Sequence, residues 1–283
     1  MKIFAIETGN FKVDGGAMFG VIPKSFWKLK YPADENNLCN CAMRSMLVIN
    51  DDRKILIDTG CGDKQDENFF HFYYLNGEAS LSTSLEKAEV RPEEITDVIM
   101  THLHFDHCGG GVKWNNDKTG YELTFPNANY WTTKAQWEAA INPNSREEPA
   151  YPKENLIPMY DSGKLKFIEK EGELMPGIEI RIFNGHTYGH IVPIIDYKGR
   201  KVAYVGDLIP VKPNIISSFV SAYDLFPLIT IEEKEKFLKE AYNEKFVLFF
   251  GHDLYTECCT LKSSAKGIRE DQSFKIEEIE KYM

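Results

Sequence analysis

Short apolar runs bounded by turn-forming residues dominate the first half of the chain. Met46-Leu47-Val48-Ile49 and Ile55-Leu56-Ile57 flank Asn50-Asp51-Asp52-Arg53, which predicts a hairpin. Ile95 to Met100 reads as a buried strand leading into a histidine-rich segment. Lys134 to Ile141 reads as a helix behind the candidate caps Thr132 and Thr133. The second half repeats the mixture. Ile178-Glu179-Ile180-Arg181-Ile182 alternates with period two, so it predicts a half-buried strand. Val192 to Ile195 and Lys201 to Val205 flank Asp196-Tyr197-Lys198-Gly199, a second hairpin. Thr230 followed by Ile231 to Tyr242 reads as an amphipathic helix, with Thr230 as its cap and Glu233 completing a capping box. Phe246 to Phe250 is a short, wholly apolar run that predicts a buried strand.

Hairpins combined with helices in both halves point to two packed sheets with helices outside, not to one parallel doubly wound sheet. No internal repeat or Pro/Gly/Ser linker divides the chain, so residues 1–283 are expected to form one domain.

The chemistry concentrates in the histidines. Seven are present, and six fall into three blocks, each at the end of an apolar run. His102, His104 and His107 follow Val98 to Thr101; His186 and His190 follow Ile180 to Gly185; His252 follows Phe246 to Gly251. Val205-Gly206-Asp207 is a further apolar run ending in glycine and an acid. Strand ends are rigid platforms that aim side chains at a common point. His102, His104, Asp106 and His107 exceed what one tetrahedral ion takes while keeping a position open for water. With His186, Asp207 and His252 the donors suffice for two ions sharing one carboxylate. Imidazole and carboxylate suit zinc, manganese or iron.

Composition narrows the partners. The formal net charge of −10 opposes nucleic-acid binding, and 43% hydrophobic with 27% charged residues is ordinary for a soluble globular protein. No stretch reaches the length of a membrane span, and Met1 to Glu7 is too short and too polar for a signal-peptide core. Six cysteines form no dense disulfide framework and no zinc-finger spacing, so they are expected to be reduced and buried in a cytoplasmic protein. The expected partner is a small-molecule substrate, with homo-oligomerisation left open.

At Thr101-His102-Leu103-His104-Phe105-Asp106-His107-Cys108-Gly109-Gly110 the chain resembles the metallo-β-lactamase-fold hydrolases. Ile57-Asp58-Thr59-Gly60, Gly185-His186-Thr187-Tyr188-Gly189-His190, Gly206-Asp207 and Gly251-His252-Asp253 are similar to the family's remaining motifs, in the same order. The resemblance implies an α/β (α+β) fold, a four-layer αββα sandwich. It implies that His102, His104 and His186 hold one ion, that Asp106, His107 and His252 hold the other, and that Asp207 bridges them. Asp58 would order the loop behind the ligands through hydrogen bonds, and His190 would support rather than ligate.

Two divalent ions, zinc foremost and manganese or iron as alternatives, would lower the pKa of a bridging water toward neutrality. The resulting hydroxide would attack an ester-type bond: a lactone, carboxylic ester or phosphotriester. Asp106 would orient it. Leu103, Phe105 and Phe250 to Asp253 are similar to the N-acyl homoserine lactonase branch, but Pro210 stands where that branch has a leaving-group tyrosine. Tyr188, Tyr223 and Tyr255 are the candidate substitutes. Met18, Phe19, Phe26 and Trp27 resemble the entrance aromatics of the organophosphate hydrolase and arylesterase branches, against ordinary core packing as the simpler reading. A mononuclear iron persulfide dioxygenase is the alternative activity on the same ligand set.

Overall fold

The computed structural model describes residues 1–282. It has the expected mixed α/β class, and its elements gather into two compact units. One comprises Met1–Gly9, Met43–Phe72 and Asn76–Glu171; the other comprises Asn10–Ala42, Tyr73–Leu75 and the chain from Gly172 onward. Neither unit is one continuous stretch of sequence.

The first unit holds most of a six-stranded sheet in the order Lys2–Asp14, Leu38–Asn50, Arg53–Ile57, Asp97–Ile99, Asn129–Thr133, Leu165–Ile168. The expected hairpin is there: Leu38–Asn50 pairs antiparallel with Arg53–Ile57, Asn50 opposite Arg53. Asp97–Ile99, Asn129–Thr133 and Leu165–Ile168 continue the sheet in parallel. Parallel strands are covered on both faces, and Asp97, Val98 and Ile99 are all buried accordingly. Asp97 is the polar exception; its carboxylate accepts from Arg53 Nη1 at 2.8 Å and Trp131 Nε1 at 2.9 Å. The helix Lys134–Ile141 has the bounds read from sequence, and the Thr133 side chain caps it by accepting from Gln136 N. Leu56, Val98, Met100, Leu103 and Tyr130 belong to one buried cluster in this unit, so the histidine segment rests on its core.

The second unit holds a seven-stranded sheet ordered Gly267–Phe274, Cys258–Ser264, Val247–Phe249, Arg200–Tyr204, His190–Tyr197, Ile178–Phe183, Gly172–Met175. The second expected hairpin joins His190–Tyr197 to Arg200–Tyr204, its turn using positive φ at Lys198 and Gly199. Among the described residues of this sheet, Arg200–Tyr204 and Val247–Phe249 are the one parallel pair.

 That parallel pairing, Val202 opposite Val247 through Tyr204 opposite Phe249, needs a crossover, and the helix Pro227–Asn243 supplies it.

That helix departs from the sequence reading. It starts at Pro227, and Thr230 lies inside it, its hydroxyl donating to the Phe226 carbonyl at 3.4 Å. Proline at the first helical position has its φ preset and needs no N–H partner, so it starts the helix four residues early. Glu233 is thereby released from capping. The N-terminal aromatics also take the simpler reading: Met18, Phe19 and Trp27 are buried, Phe19 stacking on Trp27 at 5.1 Å, while Phe26 is 67% exposed. All six cysteines lie in buried positions as thiols. Among the described residues no helix is long and apolar enough to cross a membrane.

The loop after Arg53–Ile57 is locked to the segment after His107. Thr59 N donates to the His107 carbonyl at 2.7 Å, and Gly110 N to the Gly60 carbonyl at 2.9 Å. A Cβ on Gly110 would stand 2.2 Å from the Thr59 carbonyl oxygen. Gly110→Ala is therefore expected to destabilise the chain by about 1–3 kcal/mol through overpacking. Urea unfolding checks this; an unchanged midpoint would show that the contact yields freely.

Candidate metal centre

In the first unit, the parallel strands Arg53–Ile57 and Asp97–Ile99 end side by side, Ile57 opposite Ile99. Asp58 and Thr101 therefore emerge at one sheet edge. Asp58 takes φ 58°, a conformation aspartate tolerates better than most residues. Its Oδ1 accepts from Thr101 N at 2.7 Å and its Oδ2 from Thr101 Oγ1 at 2.8 Å. The same Oδ2 lies 2.8 Å from His107 Nδ1. One carboxylate thus orders the strand end and orients an imidazole.

The short helix Phe105–Cys108 turns Asp106 and His107 back toward His102 and His104. The His102 ring centroid is 4.5 Å from that of His104 and 4.0 Å from that of His107. His102 Nδ1 is 3.1 Å from Thr101 Oγ1. Asp106 Oδ2 is 3.7 Å from His107 Nε2. His104 differs from the others in that its Nε2, not its Nδ1, faces a carboxylate, the buried Glu147 at 3.4 Å. Glu147 is itself held by Tyr151 Oη at 3.1 Å and Asn144 Nδ2 at 2.7 Å.

The second unit presents its own set. His186, Asp207 and His252 follow the strands Ile178–Phe183, Arg200–Tyr204 and Val247–Phe249. His186 Nε2 lies 3.3 Å from Asp207 Oδ2, and His252 Nε2 lies 3.2 Å from Asp207 Oδ1. His186 Nδ1 contacts Asp224 Oδ1 at 2.8 Å, and His252 Nδ1 contacts the Ala42 carbonyl at 2.8 Å. His190, fully buried, accepts from Asp207 N through Nε2 at 3.0 Å, so it sets the backbone of the acid. Pro210 contributes its carbonyl, which accepts from His252 N at 3.3 Å.

These contacts test whether the residues suit a cation. A carbonyl oxygen only accepts, so His252 Nδ1 must carry the proton and donate it to Ala42. Asp224 imposes the same tautomer on His186. In the neutral rings each Nε2 then turns a lone pair toward an oxygen of Asp207. Two lone pairs against one carboxylate repel, and a cation between them converts that repulsion into ligation. Nδ1–H held by carboxylate or carbonyl, with Nε2 left to bind, is the usual support of a metal-ligating histidine. The donor set fits a divalent ion with affinity for nitrogen and oxygen.

Sequence reasoning did not find Asp224, Glu147 or the Ala42 carbonyl. Asp224 is 38 positions from His186 and Glu147 is 43 from His104, and neither sits in a motif that announces a histidine partner.

The family model described as "Metallo-beta-lactamase superfamily" matches residues 41–252. An N-acyl homoserine lactonase of Bacillus cereus is 30% identical over 235 residues, 78% of this chain and 85% of the relative. A probable metal-dependent hydrolase from Staphylococcus aureus superposes with a TM-score of 0.88 at 31% identity, over 98% of this chain and 97% of its own. A dizinc quorum-quenching lactonase, solved with a homoserine product, shares the fold at TM-score 0.78 and 24% identity, over 96% of this chain and 94% of its own.

Asp58→Ala removes the anchor of His107. It is expected to weaken divalent-metal binding by about 10–100-fold. Titration against a chelating indicator measures this; unchanged affinity would reduce Asp58 to a residue of the loop fold.

Proposed function

The chain belongs to the metallo-beta-lactamase superfamily, and from that premise we propose that it hydrolyses lactones or related esters with a pair of divalent metal ions. In this reading the two units act as one hydrolase domain. His102, His104 and His186 would hold one ion, Asp106, His107 and His252 the other, and Asp207 would bridge them. The observation that carries the reading is the pair of Nδ1-anchored imidazoles facing the two oxygens of Asp207. Zinc is the proposed metal, because every donor in the set is imidazole or carboxylate and a relative of the same fold is named a dizinc lactonase.

When bound, the ions would supply a water acidified toward neutral pH and a Lewis acid for the substrate carbonyl. The residues supply position. Asp58 and Asp224 hold two imidazoles in one tautomer. Asp106 would orient the attacking water. Phe105 packs edge-on against Phe69 at 5.0 Å, and in this reading that pair would offer an apolar surface to an acyl or alkyl substituent. Tyr223, 45% exposed and adjacent to Asp224, would assist the leaving oxygen where Pro210 cannot. The relatives' names favour hydrolysis over the iron dioxygenase alternative, and a lactone over a phosphotriester.

Chelator treatment is expected to abolish lactone hydrolysis, and about two equivalents of zinc to restore it. A metal-stripped chain that cleaves lactones as fast as the loaded one would sink the proposal. Across a panel of lactones, aryl esters, phosphotriesters and thioesters, lactones should give the highest kcat/KM. Tyr223→Phe is expected to lower kcat on lactones by roughly 10²-fold, the low end for a lost general acid. Tyr188→Phe and Tyr255→Phe should leave it near the parent value; equal effects from all three would remove Tyr223 from the mechanism.

A further inference from the structure

The helix Pro227–Asn243 directs three polar side chains at the surroundings of His186. Lys234 is fully buried, where an ammonium is costly unless its donors are used. Its Nζ donates to the Phe219 carbonyl at 2.9 Å. Burial pulls its pKa down to about 8, against the attraction of Asp224. The segment it grips runs from Phe219 to Asp224, whose carboxylate holds His186 Nδ1. One position earlier, the half-buried Glu233 accepts from Asn184 N at 2.8 Å and from Gly185 N at 2.9 Å. Thr230 closes the contact: a Cβ on Gly185 would lie 2.3 Å from its Oγ1. Leu225 N donates to the His186 carbonyl at 3.0 Å, and Phe226 N to the Gly185 carbonyl at 2.9 Å. The backbone before His186, its own carbonyl and the far side of its ring are therefore all tied to this helix or to the segment leading into it.

We propose that Glu233 and Lys234 are positioning residues that fix His186, Glu233 through the backbone of Asn184 and Gly185 and Lys234 through the segment that carries Asp224. The proposal deepens the two-metal reading and rests on it only for the consequence to metal binding. A helix-interior glutamate and lysine have no capping duty here. Glu233 reaches the histidine loop and Lys234 the segment that carries Asp224, and their place within one turn of helix sets both anchors at a fixed spacing. An ion held through His186 would then feel substitutions that touch neither the ion nor any ligand.

The experiment uses the full chain with Glu233→Ala, Glu233→Gln, Lys234→Met or Lys234→Arg. Amide hydrogen exchange is read on metal-free protein. Glu233→Ala is expected to speed exchange at Asn184 and Gly185 by about tenfold or more, and Lys234→Met to do so at Leu225 and Phe226, while Leu248 in the core strand stays protected. Zinc titration against a chelating indicator should then show one of the two ions bound about tenfold more weakly in both variants. Glu233→Gln and Lys234→Arg keep an acceptor and a donor, and should recover most of the affinity. Adding Lys234→Met to Asp224→Ala should weaken zinc no further than Asp224→Ala alone, as expected for residues acting through one another. Unchanged exchange at these amides overturns the proposal. So does a lowered melting temperature with zinc affinity equal to the parent, which is what a merely structural pair would give. If Lys234→Met does not fold, Glu233→Ala decides. An unsubstituted chain that binds no metal overturns the two-metal reading alone, because the exchange measurement contains no metal.

Discussion

An imidazole can give a metal only one nitrogen, and the other must be committed elsewhere. Most of what surrounds the histidines follows from that constraint. Asp58 occupies Nδ1 of His107, Asp224 that of His186, and the Ala42 carbonyl that of His252. Glu147 reverses the choice at His104 by facing Nε2. Each partner is buried or belongs to the backbone, so water does not compete for the ring. The committed nitrogen defines the remaining lone pair, and the lone pair defines where a cation is stabilised.

The same constraint explains why the supporting residues are distributed through the chain. A ring must be gripped from the side opposite its ligating nitrogen, and in a sheet that side belongs to a neighbouring strand end or to the element packed behind it. Asp58 is one strand over from His107's segment. Asp224 precedes the crossover helix whose Glu233 holds the backbone before His186 and whose Lys234 holds the Phe219 carbonyl of the segment that carries Asp224. Glycines appear where this packing leaves no room for a side chain, at Gly110 against Thr59 and at Gly185 against Thr230. Stability and site geometry are therefore served by the same contacts.

Both expected hairpins, the Lys134–Ile141 helix and the apolar strand before His252 were legible because each depends on neighbours within a few residues: a turn, a cap, an alternation. The crossover helix was misread at its start for the same reason. Thr230 and Glu233 have the spacing of a capping box, and only the fold reveals that Pro227 begins the helix and that Glu233 faces Asn184 and Gly185. The aromatics near the N-terminus show the converse. Their composition admits an entrance or a core, and burial of Phe19 and Trp27 decides for the core.

By itself the sequence determined the chemistry at the strand ends: which segments end in histidine or acid, and that nitrogen and oxygen donors far outnumber what a structural role requires. Those features are local, so spacing alone carries them. Tertiary structure decided which nitrogen of His104, His107, His186 and His252 is committed to a partner, that Asp207 meets two imidazoles with its two oxygens, that Asp224 and Glu147 face histidines, and that Glu233 holds the backbone before His186. These depend on contacts between residues tens of positions apart, and no local pattern encodes the partner of a buried carboxylate.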